Sequence, residues 1–341
     1  MNRMVIVLLV LSAGGLLGAA PAYSMMPIPQ DSGFSGFINL GVGFITAKSN
    51  TIAGNSLATI GKERIDSLND SPDSENDVIP LINGELAYTF ASTRTQLYLG
   101  NSLEDFIRFE TATLAGVRQE LPDKSIVALS YVFSAIRTEV WADPYVVGQD
   151  RTETDRTSSG LRLGYDKILG SDFEIQFTWR SIELDDELSG LTQLGLRPDQ
   201  ANLLNREGDS YEFEVIYPFR FKEGKHILAP AFSYRRLDLD GEAMANDRYQ
   251  GQLTYAYMGE KISITSNLIL GIANADETNP IYLEKREDVI YGLSLTVFYR
   301  NFLDVQGLSL VGSIAGFRSD SNIDFYDTTI GLLGLSILYR F

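Results

Sequence analysis

The chain has 341 residues, one histidine, no cysteine and a formal charge of −17 at neutral pH. The lack of thiols excludes disulfides, thiolate metal sites and thiol catalysis. So large a negative charge excludes a nucleic-acid partner, whose phosphates require a basic surface.

The first residues read as an export signal. Arg3 supplies the positive start, Val5 through Leu11 an apolar run, and Gly14 to Gly18 a smaller-residue continuation. Ala20-Pro21-Ala22 and Ala22-Tyr23-Ser24 both offer small residues for cleavage. No cysteine follows, so a lipid anchor there is excluded. The expected organisation is a signal peptide over residues 1–24 and a single barrel domain over 25–341. Cleavage removes Arg3 and no acid, which takes the charge from −17 to −18. Beyond this leader no stretch reaches the roughly 18 apolar residues of a spanning helix, so any crossing of a membrane uses strands.

From Phe34 onward one unit recurs: about ten alternating residues, then a polar or glycine-bearing break. Ile38, Leu40, Val42 and Phe44 oppose Asn39, Gly41 and Gly43. Leu86, Tyr88 and Phe90 oppose Glu85, Ala87 and Thr89. Val127, Leu129, Tyr131 and Phe133 oppose Ala128, Ser130 and Val132. Phe173, Ile175, Phe177 and Trp179 oppose Glu174, Gln176, Thr178 and Arg180. Tyr211 to Tyr217, Tyr249 to Tyr257 and Tyr291 to Tyr299 follow the same rule. In the last segment Leu333, Leu335, Ile337, Tyr339 and Phe341 share one face, and Ile330, Leu332, Gly334, Ser336, Leu338 and Arg340 the other.

The breaks alternate in length. Short ones fall at Ala91–Thr93, Leu121–Lys124, Gly170–Asp172, Lys222–Lys225, Met258–Glu260 and Asn301–Gly307. The others are mostly longer and acidic: Lys48–Val78, Ala142–Thr154, Asp186–Asp209, Leu239–Asn246, Ala275–Glu287 and Ser319–Asp324, with a short member at Asn101–Asp105. This predicts an all-β, antiparallel transmembrane barrel of about fourteen strands (roughly 12–16) with short periplasmic turns and long extracellular loops. A soluble sandwich also alternates. It has no reason to place aromatics at both ends of its strands, as Tyr211/Tyr217, Tyr249/Tyr257 and Tyr291/Tyr299 do. Those positions suit the two interfaces of a bilayer.

Charge is partitioned. Lys124, Lys167, Lys222, Lys225 and Lys261 lie in or beside the short turns. Arginines and acids share the polar faces of strands, which must point inward because a charge facing lipid costs several kcal/mol near the midplane. The expected pore-lining residues are Glu85, Arg94, Arg108, Glu110, Arg162, Glu174, Arg180, Glu212, Glu214, Arg235 and Arg248. Arg118 shares the same face. They either brace the interior as ion pairs or set a transverse field in a wet pore.

The loop acids Asp66, Asp70, Asp73, Glu75 and Asp77, then Asp185, Asp186 and Glu187, then Asp238, Asp240 and Glu242, read as a solvated outer surface. The alternative is Ca²⁺ or Mg²⁺ bridging to lipopolysaccharide phosphates, although no EF-hand spacing is present. Pro198 predicts the start of a short helix that ends near Gly208. Leu191, Leu194, Leu196, Leu203 and Leu204 around it need cover, as a lid or as a constriction in the mouth. His226, in Lys-Glu-Gly-Lys-His, reads as a solvated turn residue. That leaves no histidine for acid–base catalysis, and no catalytic, metal or cofactor motif is expected.

The leader, the alternating strands and the terminal Phe341 together resemble porin-like Gram-negative outer-membrane barrels. In that class a terminal aromatic belongs to the signal read by the barrel assembly machinery. More narrowly, Ser32-Gly33-Phe34-Ser35-Gly36-Phe37 and Lys48-Ser49-Asn50-Thr51-Ile52-Ala53-Gly54 resemble a proteobacterial barrel family without an assigned function. The resemblance implies an outer-membrane location, contact with lipid and lipopolysaccharide, and a monomer. The expected function is passive passage of small solutes through a polar, charged lumen. The alternative is a structural or surface-interaction barrel with a plugged lumen.

Overall fold

The computed structural model describes residues 27–101 and 113–341. The strands, in chain order, are β1 (Gly33–Lys48), β2 (Ile52–Asn55), β3 (Ala58–Thr59), β4 (Ser74–Phe90), β5 (Thr95–Asn101), β6 (Thr113–Glu120), β7 (Ile126–Phe133), β8 (Thr138–Trp141) and β9 (Glu153–Asp166). Then follow β10 (Glu174–Leu184), β11 (Gly208–Ile216), β12 (Phe219–Phe221), β13 (His226–Leu239), β14 (Asn246–Met258), β15 (Ile262–Thr278), β16 (Lys285–Arg300), β17 (Leu308–Ser321) and β18 (Thr328–Arg340). β12 carries the line of β11 past Tyr217-Pro218 and pairs with the same neighbour, β13. The proline has no N–H to give the ladder there. β8 likewise prolongs β7 beside β9, and β2 and β3 form a hairpin in the first loop.

What remains is a closed antiparallel barrel of 14 strands. The seam joins the first strand to the last. β1 pairs with β18 from Phe37↔Arg340 to Lys48↔Thr329. Gly36 and Phe341 add a final reciprocal pair, N–H to C=O at 3.0 and 3.1 Å. The terminal aromatic therefore belongs to the ladder that closes the sheet, which leaves no open edge.

The two faces follow the alternation. Ile38, Leu40, Val42 and Phe44 of β1, Leu161 and Leu163 of β9, Leu293 and Leu295 of β16, and Leu333, Leu335 and Ile337 of β18 all point outward and are exposed. A continuous exposed apolar band is stable only in lipid. Aromatic rings edge it at both ends. Phe34–Tyr88–Phe90, Phe173–Tyr217–Phe219 and Tyr339–Phe341 gather at the short-turn end. Tyr131–Phe133 and Tyr234–Tyr249 gather at the other. Among the described residues no helix is long and apolar enough to cross a membrane. The protein is a β-barrel of the Gram-negative outer-membrane type.

Three local expectations change. The hairpins overrun the bilayer: β4 begins at Ser74 rather than after Val78, because its ladder with β1 continues to Lys48↔Ser74. His226 opens β13, and its Nδ1 lies 2.8 Å from the Tyr255 hydroxyl beside Tyr257. It is a member of the aromatic girdle, not a solvated turn residue. Arg94 sits in the β4–β5 turn with φ 56°, not within a strand, because the polypeptide reverses there and alternation no longer applies.

Candidate functional site

The registers bring the predicted inner-face residues into order. Ser130 pairs with Arg162, Arg162 with Thr178, Thr178 with Glu212, Glu212 with Arg235, and Arg235 with Arg248. Five predicted or flanking polar positions thus form one circumferential row on β9, β10, β11, β13 and β14. Arg162 Nε donates to Thr178 Oγ1 at 3.0 Å, and Arg235 Nη2 pairs with Glu212 at 3.0 Å. A second row, nearer the short turns, runs Gln176, Glu214, Ser233, Gln250. Glu174 faces Asp166 across the β9–β10 ladder at the periplasmic end, with Arg220 near both. Arg180 lies on the extracellular side of the main row, opposite Gly160 and Ser210, and is almost completely buried.

Glu85 stands apart on β4. Arg118 of β6 reaches it with a two-pronged pair at 2.8 and 2.9 Å and also donates to Gln96 Oε1 at 3.0 Å. The same guanidinium lies 3.9 Å from the centre of the Tyr98 ring. Planar, two-point pairing of this kind fixes both side chains. Arg94 binds Glu120 at 2.6 Å and donates to the carbonyls of Ile28 and Pro29. It ties the segment that precedes β1 against the periplasmic end, where Ile28 is buried. Arg108 and Glu110 lie outside the described residues. Among the described residues no group of three or more His, Asp or Glu side chains could hold a metal ion.

The extracellular end has a core of which the sequence indicated only the leucines Leu196, Leu203 and Leu204. Ile65, Tyr145, Leu204, Ala243, Met244, Ile323, Phe325 and Tyr326 form one buried cluster, with Ile281 and Tyr282 packed on it. They come from loops that leave the barrel all round its rim, so the cluster must cross the mouth. Tyr145 follows β8, whereas Phe325 and Tyr326 precede β18 on the far side of the ring. Their rings stack with centroids 5.3 Å apart (Tyr145–Phe325), and the hydroxyls of Tyr145 and Tyr326 are 2.6 Å apart. Asn279 Nδ2 donates to the Tyr326 oxygen at 2.7 Å.

Polar bonds lock the loops beneath this cluster. Buried Arg151 donates to the carbonyls of Asn50, Pro144 and Lys62 and lies over the Trp141 ring. Desolvation pushes its guanidinium down to about 10. Asp143 accepts from the backbone N–H groups of Tyr145, Gly190 and Thr192. Arg206 clamps Glu187 and the Ala142 carbonyl. Burial raises the phenols of Tyr145, Tyr282 and Tyr326 above their ordinary value. The predicted helix forms at Pro198–Asn202, shorter than expected, and delivers Leu203 and Leu204 to the cap. Leu188, Leu191 and Leu194 remain exposed. The loop is thus a lid element rather than an inward constriction.

The first loop also covers part of the inner wall. Ala58 and Ile60 pack against Ile45, Ala47, Ile79, Leu81, Ile330 and Leu332, whose side chains face inward near the seam. The lumen is polar on the β9–β14 side and apolar beneath that loop.

Residues 33–340 match a family described as proteins of unknown function, DUF2860. The chain belongs to the DUF2860 family. This agrees with the resemblance of its first strand to a barrel family without an assigned function. No curated protein matches this DUF2860 chain. Among solved structures, the CymD monoaromatic hydrocarbon channel is 11% identical with a TM-score of 0.46, over 90% of this chain and 88% of that one. A FadL homologue from Pseudomonas aeruginosa is 11% identical with a TM-score of 0.44, over 92% of each chain. OccAB3 from Acinetobacter baumannii is 10% identical with a TM-score of 0.37, over 90% of this chain and 99% of that one. At such scores the likeness carries no argument about function, which must come from the DUF2860 barrel itself.

Proposed function

We propose that this barrel passes small solutes through its charged lumen, with the loop cap as the outer barrier. The observation that carries this reading is the registered row of Arg162, Thr178, Glu212, Arg235 and Arg248. Charged side chains in a row round an inner wall hold water and offer alternating binding partners to a polar solute. A barrel whose only task was structural gains nothing from charges that are costly to bury. On this reading the chain is not an enzyme. Residues 1–24 leave on export, Phe341 is read by the assembly machinery, the acidic loops meet lipopolysaccharide, and the barrel works as a monomer.

Liposome swelling tests the passage. Vesicles carrying the refolded protein should swell in isosmotic solutions of small polar solutes and not in solutions of a large polysaccharide. Vesicles with folded protein that never swell with any small solute, even after the cap is loosened, would refute passage. A plugged barrel is the second reading, and the cap favours it: Phe325 and Leu204 are 0% exposed, and Thr254 on the inner wall only 1%. It predicts no swelling even after the cap is loosened.

A further inference from the structure

Arginines of the inner wall and its periplasmic rim with described acidic partners include Arg94 with Glu120, Arg118 with Glu85 and Arg235 with Glu212. Two others break this pattern. Arg300 ends β16 and Arg340 ends β18, on the inner face that Phe298 and Leu338 share. Neither has an acidic partner among the described residues. Nη2 of Arg300 is buried without a hydrogen-bond partner. Arg300 repels Arg340, and Glu85, two strands from Arg340 in the same row, is already engaged by both prongs of Arg118.

Their backbones place them within reach of a common point. Arg300 pairs with Ser309 of β17, and the Arg340 N–H bonds the Gly307 carbonyl just before that strand. One strand separates them, so their Cα atoms stand about 10 Å apart laterally. Long guanidinium side chains can converge over that span. Val311 and Leu338 are buried alongside, with Ser309 on the strand between the two arginines. Two half-buried cations without acidic partners favour an anion that completes the site. The forked geometry of arginine matches the oxygens of phosphate or carboxylate.

We infer that Arg300 and Arg340 form an oxyanion-binding site on the periplasmic inner wall of the barrel. Its ligand is the phosphate or carboxylate group of a small solute or of a lipid headgroup. The acidic pair Asp166 and Glu174 lies half-way round the ring at the same end, since β10 and β18 are seven strands apart. The site stands whether or not solutes cross the barrel.

The test measures binding without transport. The full chain, refolded in a non-ionic detergent free of phosphate, is titrated with inorganic phosphate in a calorimeter. Thermal unfolding is followed in phosphate and in chloride of equal ionic strength. Saturable heat is expected, with a rise in unfolding temperature in phosphate only. Arg300→Gln and Arg340→Gln should each weaken binding by roughly tenfold or more, the loss of one charge-assisted contact. Arg137→Gln, on an exposed loop, should leave it unchanged. Glycerol phosphate that binds tighter than inorganic phosphate would identify a lipid headgroup as the source, and equal binding a free solute. If either variant fails to give a heat-modifiable band, the wild-type comparison of phosphate with chloride decides. Wild-type protein with no binding heat and no phosphate-specific shift would overturn the site, as would full binding by a folded double variant.

Discussion

Tyr326→Phe removes a single oxygen from the middle of the loop cap. That oxygen accepts from Asn279 at 2.7 Å and shares a hydrogen bond with the Tyr145 hydroxyl at 2.6 Å. All three side chains are buried, Asn279 to 1% exposure and Tyr145 to 0%, so neither partner can turn to water. Leaving a buried polar group unpaired costs about 1–3 kcal/mol. Taking about 2 kcal/mol for the cap, its open population should rise roughly thirtyfold. The barrel ladder contains none of these atoms and should be unaffected. Hydrogen exchange of the folded protein in detergent reads this directly. Amides after β8 and before β18 should exchange roughly thirtyfold faster, while those of β15 and β16 keep their protection. Unchanged loop exchange in a folded variant would refute the cap as a cooperative unit. Equal acceleration in loops and strands would show that the cap and the barrel do not open separately.

Further outcomes follow from other contacts. Glu85→Gln or Arg118→Met alone strands a largely buried charge and should lower barrel stability by roughly 3–5 kcal/mol in urea titrations, whereas the double variant should recover most of it; equal loss in all three would show that the pair is not coupled. Burial raises the phenols of Tyr145 and Tyr326 above the ordinary value of 10.0. Their contribution is therefore complete below about pH 10 and is lost as pH climbs through the raised values. Loop exchange corrected for intrinsic rate should accelerate only above that pH, and acceleration at neutral pH would contradict it. A Cβ at Gly41 would lie 2.3 Å from the Leu335 carbonyl oxygen across the seam. Gly41→Val should thus prevent formation of the heat-modifiable barrel, and a normal folded band on gel electrophoresis would count against so close an approach of β1 and β18.

The barrel was legible because lipid imposes a strict rule on it. Each strand must show an apolar face outward, and residues such as Leu333, Leu335 and Ile337 announce that face with period two. The same alternation located Glu212, Arg235 and Arg248, whose strands pair in simple register. It failed where the strand ends. Arg94 lies four residues beyond β4, directly before β5, in a left-handed turn; Arg340 fell on the inner face of the last segment, whereas Arg300 lies one residue past the aromatic that ended its segment. The cap was illegible for a different reason. Leu203 and Leu204 did announce a need for cover, but Tyr145 and Phe325 are isolated apolar residues in acidic loops, with no period to connect them to those leucines. Only the chain's path brings them together, and the acids beside them gave the impression of a wholly solvated surface. Asp143 and Arg151 gave no warning either, because their partners are mainly backbone groups, which carry no sequence signature.

The central claim is that a polar lumen runs through this barrel and is closed at its outer end by the loop cap. Single-channel recording from refolded protein in a planar bilayer tests it most directly, with the wild type beside Phe325→Ala combined with Tyr326→Ala. Rare or brief openings are expected for the wild type and steady conductance for the variant. Silence from both proteins, each folded and heat-modifiable, would contradict the lumen as a path. Steady, equal conductance from both would contradict the cap as its barrier.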